Sequence, residues 1–564
     1  MKTNKFLLSA GLLALTLASC TDLDVDVKSQ YTSLVNTPEA VTANMANVFF
    51  QFRDPLGRRY MEAMTLSSDE YTSLAYSGNW VDAYAYAHPS YHTSRPEDAT
   101  VDWMGVLGRA NVLANEIIES NYSEENKCAA RAVRAFYTFL IMENFGDAPI
   151  PDAGYKEENG LDMFDRNPRH EVAKWIEKEL LEVYDKLPEA TTGDNYGKPS
   201  KYMALALLAK LYINWPVYTT AKVADYEAAS AKNEKLADCI KVCDQIISSG
   251  KFALGPVAYR FKFNHNNTEL VESGQIKDFI YAMPYDTYSA QGMQWGRSHV
   301  YKDIKAMNPS YFGEKLGNSG GAYMTLTPEC VDRFNLPGDE RNWMIAGLLD
   351  KDGNPANGQV YVYDPETLLP TDQIAMEGTP EKIYDEQGNE IGKKPLRPLV
   401  FSKTIHVVLD PAANDVGNDL DSWCQGYRSM KWFLCNRDYS NGRNQSNDVP
   451  IFRYADILLT KAEALVRSGQ GGAKDLFNQI RSYVKAPELA GEPTLDDLYM
   501  ERGREFFDEL WRRNDMIRFG HYEDEWFPHY KSNPNASFDK NMRVFPVSKN
   551  DLDLNPTWTQ NPGY

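Results

Sequence analysis

Residues 199–216 read PSKYMALALLAKLYINWP, and this segment carries the clearest fold signal in the chain. Its centre is rich in alanine and leucine, the strongest helix formers. Pro199 stands where a helix can begin, and Trp215-Pro216 stands where it must stop. Because alanine side chains are small, a second helix can approach closely. We therefore expect a buried helix that pairs with a neighbour.

The predicted partner is a helix over residues 235–249, whose apolar residues recur every three or four positions before Gly250 ends it. A comparable pair covers residues 454–467 and 473–485, on either side of Gly471-Gly472. Further helices are predicted at residues 38–52, 101–119, 123–145 and 170–187. About four such pairs indicate a mainly α, tetratricopeptide-like scaffold, since one pair cannot bury its apolar stripe without neighbours.

Residues 251–447 have a different texture, with turn signals between short strand-like runs such as Val360-Tyr361-Val362-Tyr363. Asp350, Asp352 and Asn354 resemble part of a calcium loop, but the twelfth position is Tyr361 rather than glutamate. We predict a hairpin turn there. Long irregular segments on a helical scaffold commonly carry binding function, so this region is the expected ligand-binding insertion.

The chain has 79 acidic and 59 basic residues and a formal charge of −20. This charge repels polyanions, so nucleic acid is not an expected partner. It also disfavours strongly anionic polymers as ligands, although a local basic cluster would reverse that preference. The mean hydropathy of −0.51 is typical of a water-soluble body.

The N-terminus has the pattern of an export signal. Lys2 and Lys5 precede an apolar run, and small residues lead to Cys20. A cysteine at that place is typical of a bacterial lipoprotein, so we predict a signal peptide over residues 1–19, lipidation at Cys20 and a tether over residues 20–33. An ordinary cleaved signal is the alternative.

Six further cysteines remain, an even number that suits an oxidising compartment without fixing any pairing. Cys239 and Cys243 lie on one face of a predicted helix and read as core residues. His88 and His92 have helical spacing, but Pro89 lies between them. The sequence therefore predicts neither a metal site nor a cofactor.

Four segments resemble the SusD/RagB family of outer-membrane nutrient-binding lipoproteins. They are RAVRAFYTFLIMENFGDAPI (131–150), DVPIFRYADILLTKAEAL (448–465), ERGREFFDELWRRNDMIRFG (501–520) and RVFPVSKNDLDLNPTWTQNPGY (543–564). The residues themselves read as scaffold. Glu501 and Glu505 stand one turn apart among Arg502, Arg504, Arg512 and Arg513, a pattern that favours salt bridges over acid/base catalysis.

The resemblance implies a single domain over residues 34–564. Its scaffold covers about 34–250 and 448–520, its insertion about 251–447, and its C-terminal tail 521–564. It also implies a non-catalytic, lipid-anchored protein on the outer face of an outer membrane. Such a protein binds oligosaccharides or polysaccharides and passes them to a SusC-like TonB-dependent transporter, and the resemblance supplies no cofactor.

A neutral sugar offers C–H faces that pack on aromatic rings and hydroxyls that need polar partners. Two loop segments, residues 67–91 and 283–298, combine both kinds of side chain. The predicted glycan-binding residues are Asp69, Asn79, Trp80, Tyr84, Tyr285, Tyr288, Trp295 and Arg297. We expect Trp343, Trp423 and Trp432 to be structural instead.

Two alternatives remain open from the sequence. One is a peptide-capturing or other nutrient-capturing lid of the same kind of transporter, without affinity for glycans. The other is a secreted glycoside hydrolase, which would need two carboxylates flanking the scissile bond.

Overall fold

The protein is described by a computed structural model that covers residues 34–162 and 164–564. The predicted signal peptide, Cys20 and the tether lie outside these residues. Within them, the helices of eight or more residues are α1 Pro38–Phe49, α2 Met104–Glu119, α3 Glu124–Phe145, α4 Arg169–Val183, α5 Lys201–Ile213, α6 Leu236–Ser248, α7 Tyr454–Arg467, α8 Ala473–Tyr483, α9 Leu495–Glu505 and α10 Arg512–Phe519.

Shorter α-helices interrupt the connections. They are Arg53–Pro55, Met61–Leu66, Ala87–Ser90, Ala153–Glu158, Trp215–Thr219, Asn267–Glu272, Trp295–His299, Pro328–Asp332, Leu420–Trp423, Asn436–Tyr439 and Lys549–Leu554. None of the helices in the described ranges combines the length and apolar composition needed to cross a bilayer.

Local sequence explains where the long helices begin and end. Ser123 caps α3 by accepting a hydrogen bond from the Asn126 amide, and Gly146, at φ 76°, ends it. Helix α5 begins at Lys201 rather than at the predicted Pro199, because the Ser200 side chain caps it by accepting from the Met203 amide. The predicted α7 has the same bounds as the observed helix.

The long helices pack as the apolar patterns predict. Helix α5 packs on α6, α7 packs on α8, and α3 packs on both α2 and α4. Helix α6 also contacts α7, so the N-terminal helices and the C-terminal helices form one continuous scaffold. The apolar side chains of these helices share one large buried core.

Ten short strands form five two-stranded antiparallel sheets among the described residues. The strands are β1 Tyr71–Ser73, β2 Phe279–Met283, β3 Met324–Leu326, β4 Ile345–Ala346, β5 Tyr361–Asp364, β6 Leu369–Ile374, β7 Lys382–Tyr384, β8 Glu390–Lys393, β9 Arg428–Ser429 and β10 Val449–Arg453. The pairs are β1–β3, β2–β10, β4–β9, β5–β6 and β7–β8. Strand β1 thereby joins the N-terminal region to the insertion.

The predicted hairpin turn at Asp350 is confirmed. The Asp350 carboxylate accepts from the amides of Asp352 at 2.9 Å and Asn354 at 2.8 Å, so it closes the turn. The six cysteines in the described residues are all free thiols, and Cys435 is the one among them that is not fully buried.

Buried ion pairs connect the insertion to the scaffold. Arg453, at the end of β10, lies 2.9 Å from Asp278 and 2.7 Å from both Glu505 and Glu509. Glu501 pairs with Arg341 at 2.8 Å. The prediction of salt bridges at Glu501 and Glu505 is thus correct. The predicted partners are mostly wrong, because the arginines that reach these carboxylates come from other elements.

Candidate functional site

The loop of residues 77–84 has an unusual backbone. Ser77, Trp80, Asp82, Ala83 and Tyr84 all have positive φ, between 42° and 69°. L-residues with a side chain disfavour this region, and such conformations persist only where surrounding contacts enforce them. Residues held in this way cluster at binding sites, so this loop is a candidate binding site.

Contacts from a distant segment hold this loop. The Asp415 carboxylate accepts from the Ser77 amide at 2.8 Å and the Gly78 amide at 2.9 Å. The Tyr84 hydroxyl donates to Asp410 at 3.2 Å. Tyr76 and Asn79 exchange backbone hydrogen bonds across the turn at 3.0 and 3.2 Å. The loop conformation therefore depends on residues 410–415.

Trp80 stands on a stack of aromatic rings. Its ring lies 4.3 Å from that of Tyr323 at an interplanar angle of 26°, and Tyr86 packs 4.7 Å from Tyr323. Tyr86 and Tyr323 are buried, whereas Trp80 remains partly exposed. We call Trp80, Tyr86 and Tyr323 the Trp80 platform. Its partly exposed ring has the form that stacks on a sugar.

A charged cluster anchors the hydroxyl ends of the platform. The Tyr323 hydroxyl donates to the buried Glu62 carboxylate at 2.5 Å, and Arg58 donates to Glu62 and to the Tyr86 hydroxyl, both at 2.9 Å. Burial, together with the charge of Glu62, raises the pKa of Tyr323 well above its usual value. Tyr323 therefore stays protonated at neutral pH and keeps donating to Glu62.

The second predicted segment contributes Arg297 to the same surface. The Arg297 guanidinium carbon lies 6.0 Å from the centre of the Trp80 ring. Tyr288 is 67% exposed, on a turn closed by Asp286. None of the contacts in the described residues links Tyr288 to the platform. The structure thus brings Arg297 to the Trp80 ring, places Asn79 and Tyr84 on the same loop as Trp80, and leaves Tyr288 on a separate turn.

Three of the predicted glycan-binding residues bind partners within the protein. Trp295 is fully buried and donates to Asp508 at 2.8 Å, and the buried Tyr285 donates to the Arg53 carbonyl at 2.6 Å. Asp69 pairs with Arg333 at 2.6 Å and Arg512 at 2.7 Å, and these charges outweigh burial and lower its pKa. In this conformation these side chains are held by partners within the protein, and Trp295 and Tyr285 have almost no exposed surface.

Sequence reasoning did not select Tyr86, Tyr323 or Asp415 as site residues. Tyr86 lies inside the predicted binding segment of residues 67–91, so its aromatic neighbours offered a signal. Tyr323 and Asp415 lie far along the chain, and no local pattern marks them. As expected, Trp423 and Trp432 are buried, while Trp343 is partly buried and donates to the Asp350 carbonyl at 3.1 Å.

The polar groups of the site do not form a metal centre. Across residues 34–162 and 164–564, no group of three or more His, Cys, Asp or Glu side chains is arranged to hold a metal ion. The chemistry offered around Trp80 is an aromatic face edged by an amide, carboxylates and guanidinium groups. Such a surface binds ligands by stacking and hydrogen bonding.

Comparisons with known proteins confirm the resemblance stated from the sequence. The model of the SusD family matches residues 408–564. Starch-binding protein SusD of Bacteroides thetaiotaomicron is 22% identical, over 77% of this chain and 72% of its own length. SusD-like protein P2 of Formosa agariphila is 23% identical, over 81% of this chain and 79% of its own.

The fold is also that of solved relatives. Surface glycan-binding protein A from Bacteroides thetaiotaomicron, solved in complex with laminarihexaose, superposes with a TM-score of 0.65 at 17% identity. The match covers 93% of this chain and 99% of that one. The predicted mainly helical, tetratricopeptide-like fold is confirmed.

Proposed function

We propose, from this confirmed resemblance to the SusD family, that the protein is a cell-surface lipoprotein that binds oligosaccharides or polysaccharides. It delivers them to a SusC-like TonB-dependent transporter and does not alter them. The observation that carries the proposal is the Trp80 platform, a partly exposed ring on a strained, externally held loop. Relatives named for starch binding and glycan binding support this choice of ligand.

The geometry of the platform fits a sugar ring. A pyranose face covers one indole and leaves its hydroxyl groups at the rim, where Asn79 and Arg297 can meet them. Tyr86 and Tyr323 fix the orientation of Trp80 from below. The site is therefore pre-organised, and binding costs little side-chain ordering.

Attachment and delivery rest on the sequence. Cys20 and the preceding signal pattern support a lipid anchor, and several acyl chains would hold a water-soluble body at a membrane. The transporter partner is an inference from the family resemblance alone. Co-purification of the full chain with a transporter encoded beside its gene would test it, and separate elution of the two in mild detergent would contradict it.

The direct test of ligand binding is Trp80→Ala with calorimetry against a glycan panel that includes starch and laminarin oligosaccharides. Loss of stacking should weaken binding by roughly 1 to 3 kcal/mol, by analogy with nucleobase stacking. Phe164→Ala is the matched control, because Phe164 is an aromatic side chain that is 82% exposed. Equal affinities of wild type and the Trp80 variant would contradict this placement of the site.

The same panel separates the alternatives. Binding of protein digests but of no glycan would favour the peptide-capturing lid. Release of new reducing ends from a bound glycan would show a hydrolase and overturn the non-catalytic proposal.

A further inference from the structure

Arg297 is a cation without an acidic partner. It lies 6.0 Å from the Trp80 ring, yet none of the ion pairs found among the described residues includes it. A guanidinium is always charged at neutral pH, and its planar fork of donors matches a carboxylate or a sulfate. Arg297 is therefore available to an anionic group at the edge of the platform.

Two further arginines lie at the hydroxyl end of the platform. Arg58 and Arg59 both donate to the Tyr86 hydroxyl, at 2.9 and 3.4 Å, and they share the single carboxylate of Glu62. Arg59 is the looser of the two, because its side chain is 34% exposed and lies 3.2 Å from Glu62.

The neighbouring ring stack carries a further cation. Lys302 lies 4.0 Å from the ring of Trp423, which stacks on Tyr76 just before the loop. Carboxylates equal these cations in number. Glu62 pairs with Arg58 and Arg59, Asp415 is occupied by backbone amides, Asp410 accepts from Tyr84, and Asp82 is an exposed aspartate of the loop. None of the ion pairs among the described residues includes Arg297 or Lys302, so these two cations remain for an anionic ligand.

We propose that the glycan bound at the Trp80 platform is acidic, with a carboxylate or sulfate that pairs with Arg297 while its sugar ring stacks on Trp80. This inference deepens the proposed function and rests on it. Arg59 adds attraction from the hydroxyl side of the platform. The unpaired Arg297 thus favours an anionic group at this point, although the net charge of the chain as a whole disfavours one.

The test compares wild type with Arg297→Gln. Each protein is titrated with an acidic probe and with its neutral counterpart, so each pair of probes gives four affinities. The probes are oligosaccharides of polygalacturonate and alginate, each with its carboxyl-reduced neutral counterpart, and a carrageenan oligosaccharide, whose galactan backbone carries sulfate and no carboxylate, with its desulfated neutral counterpart. We expect Arg297→Gln to weaken binding of the acidic probe by about tenfold to a hundredfold, and to weaken the neutral counterpart by at most about fivefold, which is the loss of one hydrogen bond to an uncharged hydroxyl. The two arms distinguish a carboxylate from a sulfate.

Salt provides a second readout. Raising NaCl from about 50 to about 500 mM should weaken the acidic probe and barely change its neutral counterpart, since salt screens exposed charges. Arg109→Gln is the matched control, because Arg109 is exposed on α2. Unchanged thermal unfolding of both variants would show that neither acts through folding.

The outcomes separate this inference from the function beneath it. Equal losses for the acidic and neutral probes, or binding of only neutral glycans such as laminarin or starch, would overturn the acidic ligand while the glycan-binding proposal stands. Absence of binding to every glycan would overturn both.

Discussion

Trp295 is a core residue despite its place in a segment that looks like a binding loop. Its ring packs 5.8 Å from Tyr71, and its indole N–H donates to Asp508. Glycine, glutamine and arginine neighbours gave the segment a loop-like composition, but the backbone forms the short helix Trp295–His299 and turns the ring inward. Composition alone could not reveal this direction, because contacts from distant residues set it.

We predict that Trp295→Ala destabilises the protein by about 3 to 5 kcal/mol, because it opens a cavity and leaves Asp508 without its donor. Urea unfolding measures this change. Trp80→Ala is the control, since Trp80 is partly exposed and its removal should change stability far less. Equal destabilisation by the two substitutions would contradict the distinction between core and surface.

Glu70 and Asp508 form a buried acidic pair. Burial raises the pKa of Glu70 from 4.5 to about 8 and that of Asp508 from 3.8 to about 6. The folded state therefore holds protons that the unfolded state has already released. Stability from these groups is present at acid pH and is lost as pH rises through their folded pKa values.

We predict that Glu70→Gln removes much of this pH dependence. Wild type should lose stability relative to the variant as pH rises from about 5 to about 9, because only wild type must ionise Glu70 in its buried position. Urea unfolding at several pH values measures the difference. Glu39→Gln, at an exposed glutamate of α1, serves as control. Parallel stability profiles of wild type and the Glu70 variant would contradict the assignment.

At the scale of elements, the sequence alone predicted the helices well and the candidate binding site only in part. Ser123, Gly146 and the apolar periodicity of α3 and α7 are local signals, and they set the helix bounds to within a residue or two. The Trp80 platform forms only when two distant segments meet, one with Trp80 and Tyr86 and the other with Tyr323. The sequence marked Trp80 and Arg297 by their surroundings, but it could not identify Tyr323 as the ring beneath them.

The loop of residues 77–84 offers a test of positioning without ligand contact. Asp415→Asn replaces one of its two carboxylate acceptors by an NH₂ group, so one loop amide loses its partner. We predict glycan binding weaker by about 1 kcal/mol, with Trp80 itself unchanged.

Asp421→Asn is the matched control, since Asp421 is 83% exposed and pairs with Arg397 outside the loop. Calorimetry on both variants compares them. Weakened binding in the Asp421 variant alone would contradict the role assigned to Asp415.

At the scale of the whole molecule, Arg453 joins regions that lie far apart in sequence. It is the last residue of β10 and pairs with Asp278 of the insertion and with Glu505 and Glu509 near the end of α9. All four side chains are buried. Removing Arg453 takes away the one cation that all three carboxylates share and leaves each with a single remaining cationic partner, namely Lys262, Arg341 and Lys431.

We predict that Arg453→Met destabilises the fold by at least about 3 to 5 kcal/mol, the cost of breaking a buried pair. Lys549→Met is the control, because Lys549 forms an exposed pair with Asp553 that should contribute little. Thermal unfolding compares the two variants. Similar unfolding temperatures for both would show that the buried charges are not needed.

Asp415 holds the backbone of loop 77–84 by its amides. The path of this backbone therefore depends little on which side chains stand at the loop tip. Residues at the tip, such as Asn79 and Asp82, do not supply the contacts from the 410–415 segment that hold the turn. Mutations there can alter ligand preference while the backbone path is retained. A library randomised at these positions would be a direct way to evolve new specificities on the same scaffold.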